Sequence, residues 1–168
     1  MVVKYVGKLS LKYKIYNMIT IEEFKIKHSN KIRFIGLDLG SKRIGVSICD
    51  ERQAIATPYK TINKTSTKDL IEQLKVIIKE NDISGIIVGN PVNMDGSLGR
   101  SAQSVNDVGS NISKFIDLPV ILWDERLSTV GAFNLSSLLD VNVSKRVKTI
   151  DQNAAAFILQ GAIDFLNN

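Results

Sequence analysis

Hydrophobic positions in the first half of the chain form short apolar stretches separated by polar turns, which is typical of β-strands. Residues 32–39 and 43–49 are two such stretches, and a turn at residues 40–42 separates them. A third stretch covers residues 54–62 and contains Pro58. Proline cannot donate a backbone hydrogen bond, so we expect this strand to bend and to lie at an edge. The pattern therefore predicts three consecutive strands that pair as antiparallel hairpins.

From residue 66 onward, a helical period alternates with short apolar runs. This pattern predicts helices over residues 66–80, 100–116, 127–140 and 150–166, and buried strands over residues 85–89 and 119–123. Residues 90–99 are expected to form a loop, and residues 141–149 a polar, basic connector. Core-facing positions are predicted to be Leu70, Ile71, Leu74, Ile77 and Ile78 in the first helix, Ala102, Val105, Val108, Ile112 and Phe115 in the second, and Ala154, Phe157, Ile158, Gly161, Ala162 and Phe165 in the last.

The predicted order of elements, β-β-β-α-β-α-β-α-α, indicates an α/β fold with a mixed sheet covered by helices on both faces. Residues 32–168 are predicted to form this domain. Residues 1–31 show no sustained period and are interpreted as a basic N-terminal extension. The extension could be a flexible arm, an added strand or helix, or a consequence of start-codon choice, since Met18 offers a second start. We expect the domain and its functional site to survive deletion of residues 1–30.

Composition excludes several classes of site. The chain has 168 residues, 44% of them hydrophobic and 23% charged, as in an ordinary globular domain. No apolar run approaches the roughly 18 residues of a membrane span, so no membrane partner is expected. Cys49 is the one cysteine and His28 the one histidine. This usage excludes a disulfide framework, argues against histidine-based zinc sites and Ser-His-Asp triads, and fits a cytoplasmic protein.

The net charge of +5 lies in the N-terminal segment. Residues 1–31 contain seven lysines and two glutamates, so residues 32–168 are electrically balanced. Any basic surface on the domain must therefore arise from clustering of cations.

Three acids are expected at one edge of the sheet. Asp38 interrupts an apolar strand, Glu125 follows the strand at 119–123, and Asp151 opens the last helix. Each has an ordinary alternative explanation, as a strand-end hydrogen-bond acceptor or an acid in the first turn of a helix. Together they suggest a site for Mg²⁺ or Mn²⁺, because these ions prefer oxygen ligands. Two such ions would suit cleavage of a phosphodiester bond.

Several cations are candidates for contacts with nucleic-acid phosphates, although each could equally be an ordinary solvated surface charge. They are Lys42, Arg43, Arg100, Lys145, Arg146 and Lys148. Asp124 is interpreted as a helix cap or as an ion-pair partner of Arg126. Residues 93–96 are interpreted first as a turn and second as a loop that contacts substrate.

Four segments, in order, resemble a known family: "GLDLGSKRIGVS", "VGNPVNMDGSLGRSAQSV", "WDERLSTVGA" and "IDQNAAAFILQGAIDF". They are similar to the YqgF family of RuvC-like bacterial proteins over about residues 32–167. The resemblance implies a ribonuclease-H-like fold, with Asp38, Glu125 and Asp151 as catalytic, metal-binding acids. It also implies a Mg²⁺-dependent endonuclease that matures the 5′ end of 16S rRNA in the cytoplasm, with the small ribosomal subunit as a candidate partner.

Other interpretations remain open at this point. The family was earlier labelled a Holliday junction resolvase, a function that needs a two-fold dimer. Residues 127–140 could supply a dimer face or could be core, so both a monomer and a homodimer fit. A non-catalytic nucleic-acid-binding protein would not benefit from clustered acids that repel phosphates. The first segment also resembles the phosphate loop of actin-like ATPases and sugar kinases, but those proteins need a second lobe.

Overall fold

The computed structural model describes residues 18–27, 32–93, 95–127 and 143–168, with the side chains of the last range given from Asp151 onward. The strands are β1 (Ile19–Thr20), β2 (Phe34–Leu39), β3 (Arg43–Cys49), β4 (Ala56–Asn63), β5 (Gly85–Asn90) and β6 (Val120–Asp124). The helices are α1 (Ile21–Lys27), α2 (Thr67–Glu80), α3 (Arg100–Phe115) and α4 (Val143–Asn167), and a 3-10 turn, Glu125–Leu127, follows β6.

The strands form one mixed sheet in the order β1-β6-β5-β2-β3-β4. Strands β2, β3 and β4 pair as antiparallel hairpins, whereas β1, β6, β5 and β2 run parallel. Strand β4 is an edge strand, and its register with β3 shifts between Val46 and Ser47, opposite Pro58. The predicted three-strand start, the irregular third strand and its edge position are all confirmed.

Each face of the sheet packs against its own helices, as predicted. Ile35 and Leu37 of β2 lie in a core with α2 and α3. Phe34 of the same strand lies in a second core with α1 and α4. Because successive side chains of a strand point to opposite faces, Gly36 and Asp38 share the α4 face with Phe34. Ser66 caps the N-terminus of helix α2, and its Oγ accepts a hydrogen bond from the backbone N–H of Asp69.

The segment before the predicted domain contributes to the fold. Strand β1 pairs in parallel with β6, and the side chains of Ile21 and Phe24 in α1 are 2% and 3% exposed. The Phe24 ring makes an edge-on contact with Phe34, with 5.5 Å between ring centroids. For residues 18–27 the structure therefore shows the added strand and helix among the alternatives considered, and it argues against a harmless deletion of residues 1–30.

One predicted boundary and one predicted core position were wrong. Helix α4 begins at Val143, so most of the predicted connector at 141–149 is helical. Its lysines, arginine and valines were interpreted as a polar linker, but lysine and arginine are good helix formers.

Phe115, predicted to face the core, is 62% exposed, because the chain leaves α3 at this point and Ile116 takes the buried position instead. Residues 128–142, which include most of the predicted helix at 127–140, lie outside the described residues.

The buried face of α4 is rotated by about one residue from the prediction. Of the predicted set, Ile158 and Ala162 are buried, and the others are only partly covered. Leu159 packs against Gly36, where an added Cβ would lie 2.7 Å from the Leu159 Cβ. The helix is apolar around much of its circumference, so its contact with the sheet decided which stripe is buried. The buried residues are Ala155, Ile158, Leu159, Ala162 and Ile163.

In the described part of the chain, no helix has the length and apolar character needed to cross a membrane.

Candidate active site

Asp38 lies near the carboxyl end of the central strand β2. It pairs in register with Gly45 of the antiparallel strand β3, and its side chain is on the sheet face that α4 covers. The carboxyl ends of parallel strands are where α/β folds commonly bind ligands. The strand therefore presents a partly buried carboxylate at an edge suited to chemistry.

Glu125 reaches towards Asp38 from two strands away. It directly follows β6, and strand β5 lies between β6 and β2. An added Cβ at Gly89 of β5 would lie 2.5 Å from Oε1 of Glu125. The missing side chain at residue 89 leaves room for the glutamate to cross the intervening strand.

Asp151 approaches from the helix. Its backbone packs directly on Gly45, where an added Cβ would overlap the carbonyl group of Asp151. Since Gly45 is the register partner of Asp38, this close approach places the helix acid beside the strand acid. The three predicted acids thus come from β2, from the residue after β6 and from α4.

The electrostatics show that Asp38 interacts with both other acids. Burial, and then the charge of Asp151, raise the pKa of Asp38 above its ordinary value. Burial raises the pKa of Glu125 to about 7, with smaller contributions from the charges of Asp38 and Asp124. Burial disfavours the charged form of a carboxyl, and neighbouring like charges add to that effect. The site is therefore a region of unfavourable negative charge that a cation would stabilise.

Arg43 supplies a cation to one of these acids. Its Nε lies 2.8 Å from Oδ2 of Asp151, and the two side chains are 42% and 20% exposed. The pair is close but does not have hydrogen-bond geometry, and within the described part of the chain no donor forms a hydrogen bond with the buried Oδ2. A cavity of about 280 Å³ opens beside the pair and is lined by Gly40, Ser41, Lys42, Arg43 and Asp151.

The donor chemistry fits a hard divalent cation. Asp38, Glu125 and Asp151 offer oxygen atoms alone, and Oδ2 of Asp151 is a buried acceptor that receives no hydrogen bond from the side chains and backbone the structure describes. Oxygen donors of this kind are typical ligands of Mg²⁺ and Mn²⁺. Among the described side chains, however, no group of three or more acidic, histidine or cysteine residues is arranged to hold a metal ion. The acids interact electrostatically but are not gathered into a closed ligand set, and their mutual repulsion opposes such a set.

The other predicted phosphate-binding residues are only partly brought to this site. Lys42 is exposed in the turn between β2 and β3, and it lines the same cavity as Asp151. Arg100 is exposed at the first residue of α3. The backbone of α4 includes Lys145, Arg146 and Lys148, but their side chains lie outside the described part of the structure.

Asp124 and Arg126 form the predicted ion pair. Arg126 donates from Nη2 to Oδ2 of Asp124 at 2.6 Å and from Nε to Oδ1 at 3.0 Å. These hydrogen bonds lower the pKa of Asp124. Asp124 is therefore held in its charged form by an arginine, unlike Glu125 next to it.

The loop after β5 contains the predicted turn. The backbone N–H of Gly96 donates to the carbonyl of Asn93 at 2.8 Å, and Gly96 has a φ of +83°, which favours glycine. Ser97 donates from its backbone N–H and from Oγ to Oδ1 of Asp95, at 2.8 and 2.6 Å. Arg126 also donates from Nη1 to the carbonyl of Asn93 at 3.4 Å. The same arginine thus contacts both the acid at the end of β6 and this loop.

The sequence analysis did not predict three structural features of the site. These are the close approaches at Gly45 and at Gly89, and the contact of Arg126 with the loop after β5. A glycine inside a strand often marks a close approach of another backbone or ligand, and that signal was present at Gly45. Gly89 ends the apolar run "GIIVG" and could be interpreted in the same way. No local signal pointed to the contact of Arg126 with Asn93.

Comparison with known proteins identifies the family. The family model described as "RuvX: Holliday junction resolvase" matches residues 32–165. This chain belongs to the RuvX family.

A RuvX relative from Pelagibacter ubique (strain HTCC1062), named "Putative pre-16S rRNA nuclease", is 89% identical over 151 residues, 90% of this chain and 100% of the relative. One with the same name from Cereibacter sphaeroides (strain ATCC 17025 / ATH 2.4.3) is 43% identical over 148 residues, 88% of this chain and 92% of the relative. The resemblance to the YqgF family is confirmed.

The fold of this RuvX protein is also found among solved nucleases. The yeast mitochondrial Holliday junction resolvase Ydc2 superposes with a TM-score of 0.51 over 88% of this chain and 84% of Ydc2, at 12% sequence identity. At that identity the likeness shows the fold alone. The predicted ribonuclease-H-like fold is confirmed, and the RuvX chain is placed in a family of nucleases.

Proposed function

We propose that this RuvX protein is a divalent-metal-dependent endonuclease that matures the 5′ end of pre-16S rRNA. The observation that carries the proposal is the position of Asp38: its register partner Gly45 packs against the backbone of Asp151. On the other side, Glu125 reaches over Gly89 of the intervening strand β5. Carboxylates on three separate elements converge at one edge of the sheet, although close like charges disfavour the folded state. Such an arrangement is expected where the acids bind cations needed for function.

Asp38, Glu125 and Asp151 would hold Mg²⁺ or Mn²⁺ in this proposal. When bound, such ions make water a stronger nucleophile and stabilise negative charge on phosphate oxygens. Asp38 is fixed by the rigid central strand. Glu125 is limited in its position by its contact above Gly89. Asp151 is placed by the packing of α4 on Gly45. These backbone contacts support the proposal that the three carboxylates act together, although a bound cation would still have to draw them into one ligand set.

The cations around the acids would bind the nucleic-acid backbone. Lys42 and Arg43 line the cavity beside Asp151, and Arg100 begins helix α3. Contacts of this type position a duplex or a single strand without reading its sequence. We propose that Lys145, Arg146 and Lys148 also bind phosphates of the substrate, and that the protein is cytoplasmic and meets its substrate on the small ribosomal subunit.

The choice of precursor rRNA as substrate rests on the names of the relatives. The description of the family model favours a second candidate, the resolution of four-way DNA junctions. That activity would need two copies of the site related by a two-fold axis. The two functions are distinguished by substrate and by oligomeric state.

The test is cleavage of a 16S rRNA precursor fragment in parallel with a synthetic four-way DNA junction. Each reaction is run with Mg²⁺, with Mn²⁺ and with EDTA, using wild type, Asp38→Asn and Asp107→Asn. Asp107 is an exposed acid of α3 and controls for the loss of one negative charge. The proposal predicts metal-dependent cutting of the RNA that is retained in Asp107→Asn and lost in Asp38→Asn.

Cutting of the junction alone, by a dimer, would replace the rRNA function with junction resolution. If the folded protein cuts neither substrate with either metal, but binds them, a non-catalytic binding role would be favoured. Activity restored only when small ribosomal subunits are added would show that the subunit is part of the substrate.

A further inference from the structure

Arg43 and Asp151 form a contact that the proposed function does not use. The arginine Nε lies 2.8 Å from Oδ2 of an acid that the proposed function assigns to a metal ion. The guanidinium also lines the cavity of about 280 Å³ beside the β2–β3 turn. One cationic side chain therefore touches both a proposed metal ligand and the space where a phosphate would lie.

The pair has the properties of a contact that can be exchanged. Its atoms are close, yet none of the described residues donates a hydrogen bond to Oδ2, and the arginine side chain is 42% exposed. A partly exposed ion pair without ideal geometry contributes little to stability. Guanidinium groups also bind phosphate well, because their fork of N–H donors matches its oxygens. The contact between Arg43 and Asp151 should therefore break at little cost in free energy when Asp151 binds a cation and Arg43 binds a phosphate.

Resting on the proposed function, we propose that Arg43 is an exchangeable counter-ion. It neutralises Asp151 until a divalent cation takes over that carboxylate, and its guanidinium then becomes available to a phosphate of the substrate. Metal binding and nucleic-acid binding are coupled through this exchange. Because such coupling is reciprocal, each ligand raises the affinity for the other, and Arg43 is a positioning residue that links the two.

The first test measures Mn²⁺ affinity, using the electron paramagnetic resonance of free Mn²⁺, for wild type, Arg43→Gln and Lys42→Gln. Lys42→Gln is the matched control, since it removes one positive charge at the position next to Arg43. Within the described residues Lys42 forms no ion pair with an acid. Removing a competitor for Asp151 should tighten Mn²⁺ binding about fivefold or more in Arg43→Gln. Lys42→Gln should change it by less than about twofold, the effect of a more distant, screened charge.

The second test needs no metal. In EDTA, fluorescence anisotropy measures the affinity for a short, labelled, single-stranded oligoribonucleotide. Asp151→Asn removes the acid that holds Arg43, so affinity should rise about threefold or more in the wild-type and Lys42→Gln backgrounds. In the Arg43→Gln background the same substitution should leave affinity nearly unchanged. This double-mutant cycle separates release of Arg43 from a general loss of negative charge.

The outcomes distinguish this proposal from the proposed function. If wild type and Asp151→Asn bind Mn²⁺ equally weakly, the metal site itself is wrong and both proposals fail. If Mn²⁺ binding depends on Asp151 but Arg43→Gln and Lys42→Gln are alike, the metal site stands and the counter-ion role fails. An equal gain in RNA affinity in all backgrounds would likewise overturn it. Circular dichroism and thermal melting of each variant verify folding.

Discussion

Gly45 of β3 lies directly beneath the backbone carbonyl of Asp151, with no room for a methyl group between them. Gly45 is also the register partner of Asp38. A missing side chain in one strand thus determines how closely the acid of the helix approaches the acid of the neighbouring strand.

The substitution Gly45→Ala tests this relationship. The added methyl must push α4 away from the sheet, and overpacking of this kind costs about 1–3 kcal/mol of unfolding free energy. We also expect weaker Mn²⁺ binding, since Asp151 moves with the helix. Urea denaturation and a Mn²⁺ titration measure the two effects. Gly99→Ala is the control for an added methyl group that meets only the exposed Asn93 side chain, at 3.3 Å. Because Gly99 is the N-cap of α3, this control should lose up to about 1 kcal/mol of stability but keep its Mn²⁺ affinity. Unchanged stability and Mn²⁺ affinity in Gly45→Ala would contradict the prediction.

Glu125 should make the stability of the metal-free protein fall as the pH rises. Its pKa is about 7 in the folded protein and 4.5 as the ordinary value. The folded state therefore binds more protons than the unfolded state between these values, and the free energy of unfolding decreases with pH across this window. Because the Glu125 carboxyl is partly exposed, we expect this effect to lower the free energy of unfolding by only about 2 kcal/mol above pH 7.

Glu125→Gln should therefore be more stable than wild type at pH 8 in EDTA, and the difference should vanish below about pH 4. Urea denaturation at several pH values measures it. Glu80→Gln, an exposed acid at the end of α2, controls for the loss of one charge. If wild type instead became more stable than Glu125→Gln as the pH rises, the predicted sign of the pH dependence would be wrong.

Residues 18–27 should contribute substantially to stability. Phe24 is 3% exposed and Ile26 is 86% exposed on the same helix, α1. We expect Phe24→Ala to lower the free energy of unfolding by about 3–5 kcal/mol, because it leaves a cavity against Phe34. Ile26→Ala should change it by less than about 0.5 kcal/mol. Thermal and urea denaturation measure both. Equal, small effects of the two substitutions would restore the view that this segment is dispensable.

Arg126 should affect activity more than stability. It holds Asp124 and contacts the carbonyl of Asn93, so Arg126→Gln should loosen the loop beside the site. Loss of charge-assisted hydrogen bonds of this kind is expected to lower kcat/KM about tenfold. Because the residue is exposed, the free energy of unfolding should change little. Cleavage kinetics and urea denaturation provide the comparison, with Lys114→Gln at the end of α3 as the control. A loss of stability as large as the loss of activity would indicate a structural role instead.

The sequence was sufficient for much of the fold, because local periods of two and 3.6 residues distinguish strands from helices. It located the two hairpins, the edge strand at Pro58 and the buried face of α2 from Leu70 to Ile77. It also picked out Asp38, Glu125 and Asp151 as acids at element ends, and the structure brings them to one edge of the sheet.

The sequence was insufficient where an apolar pattern allowed more than one packing. Helix α4 offers several apolar stripes, and the glycines of the sheet decided that Leu159 rather than Phe157 would be buried. The short strand and helix at residues 19–27 have little period of their own. They are stabilised by pairing with β6 and by the burial of Ile21 and Phe24.

Residue type and periodicity alone thus determined the order of the elements from β2 to β6, the two-faced sheet and the candidate acids. The tertiary structure decided how near those acids come to one another and to Arg43. The physical reason is that periodicity records which face of an element is apolar, whereas the distance between Arg43 and Asp151 depends on how closely α4 packs on β3. That distance is set by the missing side chain of Gly45, a contact between residues far apart in the chain.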